Sequence, residues 1–206
     1  MFYKYNDFFP VVLMAVASTN YHFVYVDIGS YGRACGSTIF KRSTLWTSIQ
    51  TNKLELPSER PLSGTEGPNV PYFFVGDGGF ALNRNMLRPF ARSNLSVKKS
   101  VYNYLFFRAR RYVERAFGIL SNKWGIFQLP LNVSPEFAVD IVKACAVLHN
   151  FVCERDGCKF EDALRVTVLE DVPEGQSVRG GLTANRVRNK VADYCLTDAE
   201  AASWQI

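Results

Sequence analysis

Two apolar blocks stand near the N-terminus, FFPVVLMAVAS from Phe8 to Ser18 and HFVYVDI from His22 to Ile28, separated by the short polar segment TNY. Runs rich in Val, Phe and Tyr around so short a break predict a β-hairpin, and their near-continuous apolar character places both strands in the interior of a sheet. GSYGRACGS, from Gly29 to Ser37, is expected to be a loop, and STLWTSIQTNKL after it has helical spacing at Leu45, Ile49 and Leu54. The turn formers PSERPLSGTEGPN, from Pro57 to Asn69, predict a surface loop. PYFFVGD, from Pro71 to Asp77, predicts a third strand that ends on an acid.

The pattern then changes period. In LSVKKSVYNYLFFRARRYVERAFGILSNKWGIF the apolar positions Val101, Leu105, Tyr112, Phe117 and Leu120 predict one long helix with a basic face, with Ser96 as its N-cap. Ser134, Pro135 and Glu136 are the cap, first-turn proline and dipole-compatible acid of a second helix, expected to run to about Val152. Residues 158–178 are weakly periodic, Gly175, Gly180 and Gly181 interrupt them, and TANRVRNKVADYCL, from Thr183 to Leu196, predicts a last amphipathic helix. The order of elements predicts an α/β fold: one mixed sheet holding Phe8–Ser18, His22–Ile28 and Tyr72–Gly76, with the Ser96–Leu120 helix packed on it. Residues 1–157 are assigned to that domain, and 158–206 to a C-terminal tail with a short helix.

Composition narrows the class. With 48% hydrophobic and 14% aromatic residues in 206, the chain has enough apolar surface for a substantial core and is too poor in charge for a disordered polyelectrolyte. The Phe8–Ser18 run is too short to span a bilayer and contains Pro10, and MFYKYND does not make the basic start of a secretory signal, so no membrane association is expected. Five Cys (Cys35, Cys145, Cys153, Cys158, Cys195) at irregular spacing suit reduced thiols in the nucleus or cytoplasm better than a disulfide framework.

Charge adds a partner. Between positions 84 and 123, ten cations (Arg84, Arg88, Arg92, Lys98, Lys99, Arg108, Arg110, Arg111, Arg115 and Lys123) stand against the single acid Glu114. That segment carries +9, leaving −4 for the rest of a chain whose net charge is +5. A positive stripe on a slightly acidic body fits phosphate-backbone contact; a solvated helix face explains it equally well.

Two acids are candidates for chemistry. Asp77 ends an apolar strand and is followed by Gly78 and Gly79, where a carboxylate emerges with little side-chain cover. Glu114 lies on the basic helix, either as a partner of Arg111 at i, i+3 or as a second metal ligand. Carboxylates on separate elements are what two-metal nucleases use to hold Mg²⁺ or Mn²⁺. His149, Cys153 and Cys158 form a zinc-like grouping without a clear fourth ligand, and the better reading of Cys145 and Cys153 is as small core residues. No Cys–His nucleophile is announced near His22 or His149, and GSYGRACGS lacks the GK[ST] ending of a phosphate-binding loop.

YFFVGDGGFALNRNMLRPF, NYLFFRARRYVERAFGILSNKWGIF and LNVSPEFAVDIVKACAVLHNFV resemble the nuclease domain of Harbinger-type transposases and their domesticated relatives, within the DDE superfamily. VLMAVASTNYHFVYVDIGSYGR resembles the family's strand hairpin and ADYCLTDAEAASWQI its C-terminus, so the similarity spans nearly the whole chain. The resemblance implies an RNase H-like fold, a divalent cation (Mg or Mn), DNA as substrate, a nuclear site of action and a separate Myb-like DNA-binding partner. It maps a metal-ligand carboxylate onto Asp77 and the helical catalytic carboxylate onto Glu114.

The chain also departs from the family pattern. The family's first catalytic Asp lies on a strand upstream of NDFFPVVLMAV, so the sheet is expected to lack its first strand. Cys35 and Gly36 stand where the family has a Ser-Asp pair, and Gly78 where it tends to carry an acid. A nuclease-family protein impaired in catalysis is expected, with a domesticated DNA- or protein-binding module as the alternative.

Overall fold

The computed structural model describes residues 11–31, 36–91, 93–158 and 180–201. The fold is mixed α/β, with two small sheets and five α-helices among the described residues. It divides into two units, Met1–Ser43 with Arg111–Glu170, and Thr44–Arg110 with Asp171–Ile206. No described helix is long and apolar enough to cross a membrane.

The first unit is built on the hairpin that the apolar blocks predict. Strands β1 (Val11–Ala17) and β2 (Phe23–Tyr31) pair antiparallel, with Leu13 opposite Ile28 and Ala15 opposite Val26. The turn is closed by Ser18 N–H donating to the His22 carbonyl at 2.9 Å, and Tyr21 adopts φ 63° inside it. Phe8–Pro10, at the expected start of β1, lie outside the described residues, whereas β2 continues through part of the expected loop to Tyr31.

Helix α1 (Gly36–Arg42) follows, burying Ile39 and Phe40. Helix α4 (Pro135–Asp156) starts where its cap signals place it: the Ser134 hydroxyl accepts from Phe137 N at 3.3 Å and Pro135 takes the first turn. It lies against the hairpin, and Gly29, at φ 100°, allows close passage, because a Cβ there would sit 3.2 Å from Val139 Cγ2. The core joins Phe23 to Ala116, Leu120, Cys145 and Ala146.

The second unit holds helix α2 (Thr44–Gln50), strands β3 (Phe74–Val75) and β4 (Met86–Leu87), and helix α5 (Leu182–Ala201). Its core packs Leu82, Leu87, Phe90, Tyr102 and Phe106 against Ala184, Val187, Val191 and Ala192 of α5. The C-terminal segment thus supplies one wall of a core. Helix α3 (Val97–Lys123) begins directly after Ser96, whose carbonyl accepts from Ser100 N at 2.9 Å, and contributes Tyr102 and Phe106 to this unit and Ala116 and Leu120 to the first.

The single-sheet expectation is corrected. The hairpin is a two-stranded sheet, and β3 pairs in parallel with β4 instead, Phe74 opposite Met86 and Val75 opposite Leu87. The reason is local: after the turn at Asp77 the chain returns along β3, so Phe74 N–H and Gly76 N–H donate to the Asn85 and Leu87 carbonyls, both at 2.9 Å. β1 is half-buried along its whole length, as suits a hairpin with one covered face, and not the interior strand expected from its composition.

Candidate active site and basic face

Asp77 stands directly beyond β3 in the second unit, half-buried. Its Oδ1 accepts from Gly79 N at 2.8 Å and its carbonyl accepts from Phe80 N at 3.3 Å, an Asx-type turn that the Gly-Gly pair makes sterically easy. Arg88 braces the same turn from below, donating from Nη1 to the carbonyls of Gly78 and Phe80, each at 3.2 Å. Tyr102 on α3 in turn donates its hydroxyl to the Arg88 carbonyl at 3.3 Å. Burial pushes the Tyr102 hydroxyl well above its usual pKa, against the opposing pull of Arg188. Tyr102 therefore stays a neutral donor that fixes the support beneath Asp77.

Glu114 lies half-buried on α3 in the part of the helix that belongs to the first unit, one turn before the buried Gly118. Gly36 opens α1, and Gly78 follows Asp77, so neither of these family-acid positions offers a carboxylate. Asp77 and Glu114 both present hard oxygen donors, the chemistry that Mg²⁺ or Mn²⁺ requires.

The basic positions separate into two groups. Arg88 is 9% exposed and committed to the Asp77 turn. Arg84 is ion-paired with Glu59, Lys98 bonds Asp193 on α5 at 2.7 Å, and Lys99 lies over the Phe90 ring at 5.4 Å. Along α3, Arg108 and Arg111 are exposed and Arg110 and Arg115 half-buried, with Arg108 stacked over Tyr104 at 5.8 Å and Arg110 over Phe107 at 6.0 Å. Lys123 is exposed at the helix end, and Arg92 lies outside the described residues.

Sequence reasoning missed a pair of asparagines that dock helices onto loops and strands. Asn150 on α4 accepts from Phe23 N and donates to Phe23 O, both at 2.8 Å. Asn103 on α3 does the same to Phe90, at 2.8 and 3.0 Å. Beside Asn150, the buried His149 donates from Nε2 to the Tyr21 carbonyl at 2.8 Å. The signal for each was one polar residue on an otherwise apolar helix face. The thiol expectation also needs a correction: Cys153 and Cys158, at the end of α4, are joined in a disulfide, because the turn at Gly157 brings their Cα atoms to 4.8 Å. Cys145 is a buried thiol, and Cys35 lies outside the described residues.

A family model described as DDE superfamily endonuclease matches residues 1–150. The chain belongs to that family. It is also 24% identical over 159 residues to a protein of Arabidopsis thaliana called Protein ALP1-like, a match covering 75% of this chain and 38% of that protein. The chain thus spans about two-fifths of the length of this curated relative. No solved structure matches.

Proposed function

We propose that this chain is a Harbinger-type, transposon-derived DDE nuclease domain on an RNase H-like plan, with DNA as its ligand and strand cleavage impaired. The observation that carries the reading is Asp77, a carboxylate at a strand end held by its own turn and by Arg88, in a chain whose family match runs over residues 1–150. Asp77 is the carboxylate at a strand end that would offer oxygen to a Mg²⁺ or Mn²⁺ ion, and Glu114 the helical carboxylate that the resemblance assigns; such an ion, when bound, would supply activation of water and stabilisation of the leaving oxygen. The chain's own contribution is to orient the Asp77 carboxylate and to offer arginines on α3 to the phosphate backbone. Impairment follows from Gly36 and Gly78, since a glycine in place of an acid removes ligand oxygens that in-line displacement with two ions demands. Action on DNA puts the protein in the nucleus, with a Myb-like protein as its sequence-reading partner.

The test is nicking of supercoiled plasmid by the purified chain with Mn²⁺ or Mg²⁺. No cleavage above the metal-only background is expected. Robust nicking, lost on chelation and in Glu114→Ala or Asp77→Ala, would overturn the impairment and leave a working enzyme.

The domesticated, non-catalytic reading has an observation of its own. Helix α4 leaves Phe137, Val147 and Phe151 between 56% and 70% exposed, an apolar strip of the kind that protein partners cover. Retention of a protein partner by an Asp77→Ala, Glu114→Ala double variant, and its loss when Phe151 becomes Ser, would favour this second reading.

A further inference from the structure

His149, Cys153 and Cys158 bring their ligand atoms within 4.8 Å of one another at the C-terminal end of α4, wholly inside the first unit. The nuclease reading does not use them. His149 and Cys153 are one helical turn apart on the same side, both buried, and Gly157, at φ 75°, ends the helix so that Cys158 folds back onto that turn.

One separation already matches a tetrahedral centre, and the two sulfurs, bonded to each other, part on reduction. With a metal–nitrogen bond of about 2.0 Å and a metal–sulfur bond of about 2.3 Å, tetrahedral angles put the two ligand atoms about 3.5 Å apart. His149 Nε2 and Cys153 Sγ are 3.6 Å apart. The three groups open on a cavity of about 170 Å³, also lined by Ile119, Asn122 and Asp156, which is ample for a water as fourth ligand.

We propose that, once the Cys153–Cys158 disulfide is reduced, His149, Cys153 and Cys158 bind one thiophilic divalent cation of the Zn²⁺ type, with the fourth position open to the cavity. The chemistry balances in two steps. A phosphine gives two electrons to the S–S bond and leaves as phosphine oxide with the oxygen of one water, whose two protons cap the freed sulfurs. Binding then releases those two protons, and the His149 proton moves from Nε2 to Nδ1, so that Nε2 faces the ion and the Tyr21 carbonyl loses its donor. Disulfide and metal are thus alternative fasteners of the same helix end, the first suited to oxidising and the second to reducing surroundings.

The experiment is a Co²⁺ titration of the full chain, reduced with phosphine, followed by thiolate-to-cobalt charge-transfer absorption and then by Zn²⁺ displacement. One ion per chain is expected in the reduced protein and none in the oxidised one. Cys158→Ser, which alters a half-buried residue beyond the helix and keeps the helical circular-dichroism spectrum, should weaken binding by more than the roughly 10–100-fold that loss of an outer-shell partner costs. Cys195→Ser should bind as wild type. Absence of the absorption band in the reduced wild-type chain, its presence in the oxidised chain, or its full retention in Cys158→Ser would overturn the proposal. None of these outcomes depends on DNA cleavage.

Discussion

His149 carries more of the first unit than a single buried imidazole ordinarily does. It is 1% exposed, its Nε2 holds the hairpin turn through the Tyr21 carbonyl, its ring lies 4.8 Å from Phe23, and Cys153 Sγ sits beside it. Burial lowers its pKa below the ordinary 6.5, outweighing the opposing Tyr21 hydrogen bond, and the neighbouring His22 lowers it further. The sign of the linkage follows. Below about pH 6.5 the unfolded chain takes up a proton that the folded one resists, so stability present above that pH is lost as pH falls through the depressed folded value. Urea midpoints should therefore decline from pH 7.5 towards about pH 5 in wild type, and decline less steeply in His149→Gln. Equal slopes for the two proteins would show that the acid sensitivity lies elsewhere.

Among the elements, those that announce themselves locally were legible in the sequence. The hairpin follows from two apolar blocks and a polar break, and α4 from a Ser-Pro-Glu start that the structure reproduces with the Ser134 cap. The Thr183–Leu196 helix was also visible, though it extends from Leu182 to Ala201. What the pattern could not supply was the partner of a two-residue strand. Phe74 and Val75 read as a continuation of the main sheet, yet their hydrogen bonds go to the segment that returns after the Asp77 turn, which lacks strand periodicity of its own.

The docking asparagines were illegible for a related reason, since an amide on an apolar helix face looks like noise until the strand it meets is known. Their energetic weight can be measured. Asn150→Ala leaves both backbone polar groups of Phe23 without their side-chain partner, and should cost about 1–3 kcal/mol in chemical denaturation. Asn103→Ala should cost a similar amount through Phe90. A change below about 0.5 kcal/mol at Asn150, within the range of ordinary surface substitutions, would mean that water replaces the amide without penalty.

At the scale of the whole molecule, the charge imbalance that the sequence displays is redistributed by the fold. Arg88 is turned inward under the Asp77 loop, while Arg84 and Lys98 are matched by Glu59 and Asp193. A further set of cations lies along α3, where Arg108, Arg111 and Arg115 recur at three- and four-residue steps and Arg110 lies between them in sequence. Counterion release then sets the form of the prediction. Each phosphate neutralised on duplex DNA should contribute about −0.9 to the slope of log affinity against log salt. With several of these arginines engaged, binding to random-sequence duplex should weaken steeply as salt is raised from about 50 to 200 mM. Replacing Arg108, Arg110, Arg111 and Arg115 with Ala should flatten the slope by roughly 0.9 for every phosphate no longer neutralised, and weaken binding alike on every sequence tested. Arg84→Ala, which removes a cation already paired with Glu59, should leave the slope within error of wild type. A wild-type chain whose DNA affinity ignores salt, or a fourfold variant that keeps its slope, would show that α3 is a solvated face.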